Sequence, residues 1–188
     1  MDHGVIEVVV NRKNNPLMSV GKIVLIIVAV LCVLNGLTLM ITSLIAGIVF
    51  LVVGAAAGVG AYFVSMECVV DYEYSLVDRE LRIAKIMNKE KRKDLETYDL
   101  DKMEILAQIQ SHELDSYSNR GDVKFYNYSS RDEKRAATTY RLYLEGNKCL
   151  VLDIDGAEGR KLLNTIYSFA PRKIFTADGP YRVSIQGS

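Results

Sequence analysis

Polar and apolar positions divide this chain into two unequal parts. From Ile23 to Met66 run 44 residues without a single Asp, Glu, Lys, Arg or His, whereas residues 67–188 hold 20 basic and 21 acidic side chains. One membrane span takes about 20 apolar residues, and the apolar core of a secretory signal only about 7–15. The stretch is therefore too long for one span or a cleavable leader, and it suits two spans joined by a very short turn. A buried helix of a soluble domain would carry polar residues on its outer side, and this stretch has no charged ones. Asn35-Gly36 is a strong turn dipeptide, but a reversal there leaves a short first span and a long second one. A reversal at Thr42-Ser43 gives more even spans, residues 20–41 and 44–65, and is preferred. Asn35 then lies inside the first helix, where its amide is expected to face the second helix and hydrogen-bond to it.

The small residues of the second span bear on helix packing. Gly54, Gly58 and Gly60 sit in "LVVGAAAGVGAYFV", which resembles a phosphate-binding loop only superficially. A dinucleotide loop needs a strand before it, a polar helix start after it and an acidic residue about 20 positions on. Here the glycines sit in the middle of an uncharged run, and no βαβ pattern exists around them. Gly54 and Gly58 have the GxxxG spacing that lets helix backbones approach in lipid. They are expected to pack span two on span one, with homodimerisation through the same face as the alternative. Arg12, Lys13 and Lys22 precede the spans, Lys85 to Lys93 follow them, and the connecting turn is uncharged. By the positive-inside tendency both termini are expected to be cytoplasmic, in a multi-pass protein of the cell membrane.

After Cys68 the period changes to two. "VVDYEYSL" alternates apolar and polar positions, which is the pattern of a half-buried strand. "ELRIAKIM", "LETYDL" and "KMEILAQI" continue as strands, the last short enough that a helix is the alternative. "QSHELDSYSNRGD" reads as loop, and "VKFYNYSS" resumes strand composition. "TTYRLYLEGNKCLVLDID" reads as a hairpin turning at Gly146-Asn147, which brings the count to about seven strands. "DGAEGRKLLNTIYSFAP" then takes helical spacing, with Leu162, Leu163, Ile166, Phe169 and Ala170 on one face. Asp155 and Glu158 form a capping-box-like pair, and Pro171 ends the helix. Before the spans, "VIEVVV", residues 5–10, is β-branched almost throughout and would invite aggregation if left exposed. It is expected to be a short strand paired with an edge of the following sheet, the alternative being a disordered or signal-like leader.

Composition adds mainly exclusions. Basic and acidic residues balance at 23 each, so no net charge points to nucleic acid. Cys32, Cys68 and Cys149 are far apart and form no CxxC pair, which argues against a zinc site or disulfide framework and for small buried hydrophobes. His3 and His112 lie 109 positions apart. "DIDGAEG" lacks the ligand spacing of a calcium loop, and Asp153, Asp155 and Glu158 read as local capping instead. No GxSxG, HExxH or P-loop pattern occurs. The eleven tyrosines mostly sit at strand spacing, which makes them sheet-packing residues. No catalytic residues, metal and no cofactor are expected.

Strands in runs of four and three followed by one amphipathic helix is the order of a pleckstrin-homology-like domain. The likeness is strongest in "DYEYSLVDRELRIAKIMNKEKRKDLETYDLDKMEIL", residues 71–106. The whole chain is similar to a family of small two-span bacterial membrane proteins carrying such a domain on the cytosolic side. The resemblance implies the fold and brings no activity and no site residues. The expected organisation is a cytosolic segment 1–19, a transmembrane helical hairpin 20–66, an α+β pleckstrin-homology-like domain of about seven antiparallel strands and a C-terminal helix at 67–175, and a tail 176–188. The expected function is a membrane-anchored, non-enzymatic binding or scaffold module whose ligand the sequence does not name: a peptide, a partner protein or a lipid headgroup. The alternative is a small subunit of an oligomeric transporter or channel, for which Asn35, Thr38, Thr42 and Ser43 are the polar groups in the spans. The loop "NKEKRKD", residues 88–94, is expected to lay Lys89, Lys91, Arg92 and Lys93 against the lipid bilayer. A solvated hairpin loop is the alternative.

Overall fold

The computed structural model describes residues 6–13 and 16–183, and two helices dominate its first third. Pro16, whose missing N–H is no loss in a first turn, opens α1 (Pro16–Thr42), and α2 (Leu44–Cys68) follows after one extended residue, Ser43. The reversal thus falls at Thr42-Ser43, and Asn35-Gly36 lies inside α1. At 1.5 Å per residue the helices are about 40 and 38 Å long against a hydrocarbon core of about 30 Å. Both are long and apolar enough to cross a membrane, and only 6% and 17% of their most apolar stretches are buried.

The seam between α1 and α2 is made by small residues. The buried positions of α2 are Gly47, Gly54 and Ala61, which recur every seven residues, as in a coiled-coil stripe. A Cβ on Gly47 would collide with Met40 Cγ and come within 2.9 Å of the Gly36 carbonyl oxygen; one on Gly54 would lie 3.2 Å from the Ala29 carbonyl oxygen and Cys32 Cβ. Gly58, expected to share this contact, is exposed and has open space where its Cβ would be. The GxxxG spacing drifts off the seam by four residues, whereas the seven-residue spacing stays on it.

The sheet domain is built around two sheets. One runs β1 (Ile6–Asn11), β2 (Val70–Val77), β3 (Glu80–Met87), β4 (Lys91–Asp99) in sequence order. The expected N-terminal strand is there: Ile6 pairs antiparallel with Leu76 and Asn11 with Asp71, while Val5 lies outside the described residues. Val8 and Val10 are buried and Val9 is exposed, which is the alternation that a sheet with one face in a core imposes.

The second sheet has six strands, in the order β10 (Gly179–Pro180), β9 (Ile174–Thr176), β5 (Met103–Gln108), β7 (Thr139–Leu144), β8 (Lys148–Asp153), β6 (Lys124–Asn127). The expected grouping of four strands then three is therefore corrected: β5 joins the second sheet, and β1 completes the first. The count is higher than seven, since residues 174–180 form a small hairpin where a tail was expected. The pairing is not wholly antiparallel either, because β6 runs parallel to β8 and β9 parallel to β5. The β7–β8 reversal at Gly146 and Asn147 uses positive φ at both, +81° and +59°, as the twist of a hairpin favours.

Leu106, Leu142, Leu150, Leu152 and Tyr74 fill the core beneath α4 (Gly156–Phe169), which contributes Leu162, Leu163 and Ile166. Asp155 caps α4 by accepting from the Gly156 N–H at 2.7 Å, but Glu158 bonds Lys161 instead of closing a capping box. The segment expected as loop after β5 contains one helical turn, α3 (Asp115–Ser118). Leu114 just before it and Tyr117 within it cover Tyr143 and Cys149. Burial pushes the Cys149 thiol up to about 11.

Gly47 and Gly58 give the helical seam a direct test. Gly47→Ala overpacks backbone against backbone and is expected to lower hairpin stability by about 1–3 kcal/mol, whereas Gly58→Ala is expected to be neutral. Denaturation of the purified chain in detergent, followed by circular dichroism, reads the difference.

Candidate functional site

Three places in the chain bring chemistry-bearing groups together: the β3–β4 turn, a tyrosine network between the sheets, and a groove at the start of α4.

At the turn, Asn88 and Lys89 both take positive φ, 52° and 59°, and the Glu90 N–H closes on the Met87 carbonyl at 3.1 Å. Two such residues make the reversal that matches strand twist. The Asn88 N–H donates to the Val69 carbonyl at 2.8 Å, so the turn returns to the point where α2 ends. Residues 87–91 accordingly belong to the same compact unit as the two long helices. The expected loop of residues 88–94 is shorter than the sequence implied, since β4 begins at Lys91. Arg92 is not a free cation either: it pairs with the nearly buried Glu73 at 2.8 Å and with Asp94 at 3.6 Å. Lys89, Lys91 and Lys93 are exposed and have no acidic partner among the described residues.

Inside α1 the expected interhelical role of Asn35 is corrected. Its amide donates to the Leu31 carbonyl of its own helix at 2.8 Å, which satisfies the group without a partner helix. Thr38 and Thr42 bond back to carbonyls of α1 in the same way.

The tyrosine network links β4 to β6, each the last strand of its sheet. The Tyr98 and Tyr128 hydroxyls lie 2.8 Å apart, Tyr98 also donates to Glu96 at 2.9 Å, and Lys148 bonds the other Glu96 oxygen at 2.6 Å. Farther in, the Tyr74 hydroxyl donates to the Tyr128 carbonyl at 2.7 Å. Asp153 holds Thr139 Oγ1 at 2.7 Å and the Ser130 N–H at 2.8 Å. Rings of Tyr72 and Tyr126 pack against Tyr128 with centroids 5.4 and 6.4 Å away. Burial raises the hydroxyl pKa of Tyr74, Tyr98 and Tyr128, so all three stay neutral donors at physiological pH. These tyrosines form core, and they present no shared stacking face.

Three cavities of about 330, 310 and 230 Å³ open on the sheet domain. Around the first, Arg82 pairs with Glu80, Arg92 with Glu73, and Glu96 with Lys148. Beside the third, Arg79 pairs with Asp101 at 2.7 Å and lies over the Phe169 ring. The second lies between the start of β7, the first turns of α4 and the segment after β10. Its two arginines, Arg160 and Arg182, have no acidic partner among the described residues. Sequence reasoning missed this pair, and 22 positions of separation leave no local signal of it.

A family model described as "Bacterial PH-like domain (DUF6106)" matches residues 3–176, a span that holds both long helices and β1 through β9. No curated protein and no solved structure matches the chain.

The Glu96–Lys148 pair has a two-sided pH signature. The Lys148 hydrogen bond, with a smaller contribution from Tyr98, holds the Glu96 carboxyl below its ordinary 4.5. That stabilisation is present above about pH 4.5 and is lost as pH falls through the lowered folded value. The bond to Glu96 raises Lys148 above 10.5, so its share is present below that pH and is lost as pH rises through the raised value. Lys148→Met is expected to lower the melting temperature at neutral pH and to flatten the fall below pH 4.5, as read by circular dichroism melts across pH.

Proposed function

The chain belongs to the bacterial PH-like domain family, and from that premise we infer a membrane-anchored binding module. Two spans hold a partner-binding sheet domain at the cytoplasmic surface of a bilayer. The observation that carries the reading is the register Asn11 to Asp71. The chain leaves the sheet domain after β1, runs through two long apolar helices, and returns one strand over. Only an even number of crossings brings both flanks to one side, and two crossings do so. Arg12, Lys13 and Lys22 before the helices, with Lys85, Lys89, Lys91 and Lys93 after them, support the cytoplasmic side, because the reversal at Ser43 carries no charge.

A binding role rather than catalysis is supported by what the ionisable groups of the tyrosine network do. Asp153, Glu96 and the network tyrosines are spent on closing the domain. A transporter or channel reading is weakened because the amide and hydroxyls of α1 bond their own helix, leaving little to coordinate an ion.

The β3–β4 turn fits the same reading as a lipid contact. Lys89, Lys91 and Lys93 less Glu90 give a net charge of +2 near the end of α2, with Arg92 and Asp94 cancelling. Each juxtamembrane positive charge is worth about 1 kcal/mol against anionic lipid, so the turn contributes about 2 kcal/mol. That is too little to recruit a protein and enough to bias the tilt of one already anchored.

Two experiments test these inferences. With Cys32 and Cys68 replaced by alanine, His3→Cys and Asp178→Cys are expected to resist a membrane-impermeant thiol reagent in intact cells and to react after lysis. Labelling of either from outside would sink the topology, and site-specific cross-linking in native membranes tests the binding role. For the turn, a spin label at Glu90→Cys is expected to sit at headgroup depth in anionic vesicles and to move outward when Lys91 and Lys93 are changed to glutamate. A label far from the lipid in the unaltered turn removes the contact.

A further inference from the structure

We propose that the groove between the start of β7, the first turns of α4 and Tyr181–Arg182 is a docking site for an acidic, partly apolar peptide segment of a partner protein. One carboxylate lies between Arg160 and Arg182, and the neighbouring apolar side chain lies on the floor. The inference deepens the binding-module reading and rests on it.

The argument begins with charge. Around the other two cavities every arginine has a carboxylate within 3.1 Å. Arg160 and Arg182, both exposed and both lining this groove, have none. Two unpaired guanidiniums lining one concavity supply donors in the planar geometry that carboxylates match. Among the described residues the only acid lining the groove is Asp155, and its carboxylate already accepts from the Gly156 N–H at 2.7 Å.

Size and lining then select the class of ligand. The floor is apolar, with Ile154 and Leu163 at 5% and 4% exposure and the ring of Tyr140 at 4%. A strongly hydrated headgroup would leave that floor unused. Arg160 and Arg182 less Asp155 give a net charge of +1, which matches one carboxylate and falls well short of a polyphosphate. At about 310 Å³ the groove is at the small end of ligand sites. Its charged rim is open to solvent, so a polypeptide can continue past it on either side.

The walls are fixed in place. Gln108 ties two of the surrounding segments together, donating to the Ala137 carbonyl at 2.7 Å and accepting from the Ala177 N–H at 2.6 Å. The Tyr181 hydroxyl donates to Asn164 Oδ1 of α4 at 2.7 Å, and its ring packs edge-on against Tyr167. Arg182 is thereby held beside the helix that carries Arg160, and the site is preformed, which lowers the ordering cost of binding.

Fluorescence anisotropy on the full chain in detergent micelles tests the proposal. The probes are a dye-labelled hexapeptide of alternating glutamate and leucine and its glutamine–leucine twin. The glutamate peptide is expected to bind at least tenfold more tightly than the glutamine twin. The double variant Arg160→Ala, Arg182→Ala is expected to lose at least tenfold in affinity with an unchanged melting curve, and Arg160→Lys, Arg182→Lys to retain part of it. Equal binding of both peptides, equal binding by the alanine variant, or tighter binding of inositol hexakisphosphate than of the glutamate peptide overturns the assignment. Failure here with partners still captured by cross-linking in native membranes leaves the binding-module reading standing and removes only this groove.

Discussion

Everything in this molecule hangs on six residues that pair across an insertion. β1 is made of Ile6–Asn11 and β2 begins at Val70, yet the two are adjacent strands in register. Closing an unstructured loop of about 60 residues would cost about 4 kcal/mol in chain entropy. The helical hairpin removes most of that penalty, because α1 and α2 lie antiparallel and bring their outer ends together. In return the strand pair makes the two flanks of the hairpin neighbouring strands of one sheet. Val8 and Val10 contribute to the core while doing so, which is why the segment before the helices is β-branched and not polar.

The rest of the sheet domain is closed by side chains where backbone pairing stops. β4 and β6 end their respective sheets, and open strand edges are sites of unwanted pairing. Here Tyr98, Tyr128, Glu96 and Lys148 span the gap with hydrogen bonds, and Tyr72 and Tyr126 pack beside them. The closure is polar at its outer end and increasingly buried inward, through Tyr74 to Asp153. Each buried hydroxyl in that line finds a partner, as burial of polar groups requires. Tyr143, whose hydroxyl has none among the described residues, lies elsewhere, under Leu114 and Tyr117.

Much of this was legible in the sequence, and the misses have physical reasons. The uncharged run named both helices, and the evenness of the two spans placed the reversal at Ser43. Strand alternation located β2 to β8, and β-branching located β1. β9 and β10 escaped because two- and three-residue strands carry no period. Sheet membership escaped because register is set by partners far along the chain, so β5 reads the same in either sheet. Among site residues, Gly54 was visible and Gly47 was not, because a four-residue motif drew attention from a seven-residue one. Asn35 was misread because an amide in a helix can satisfy itself on the preceding turn. Arg92 looked like a free cation because its partner Glu73 is 19 positions away.

Insertion of the hairpin inside the sheet also fixes an order of events during synthesis. β1 leaves the ribosome first, and its partner strand is completed more than 60 residues later. At about 5–20 residues per second, that interval is about 3–12 s. Throughout it, Val8 and Val10 have no core to enter and the strand has both edges open. The two long apolar helices between them are made in that interval. The polar members of the strand, Glu7 and Asn11, interrupt its apolar run until β2 is complete. A protein built this way completes its sheet domain only after both of its long apolar helices have been made, so the insertion sets the earliest point at which that domain can close.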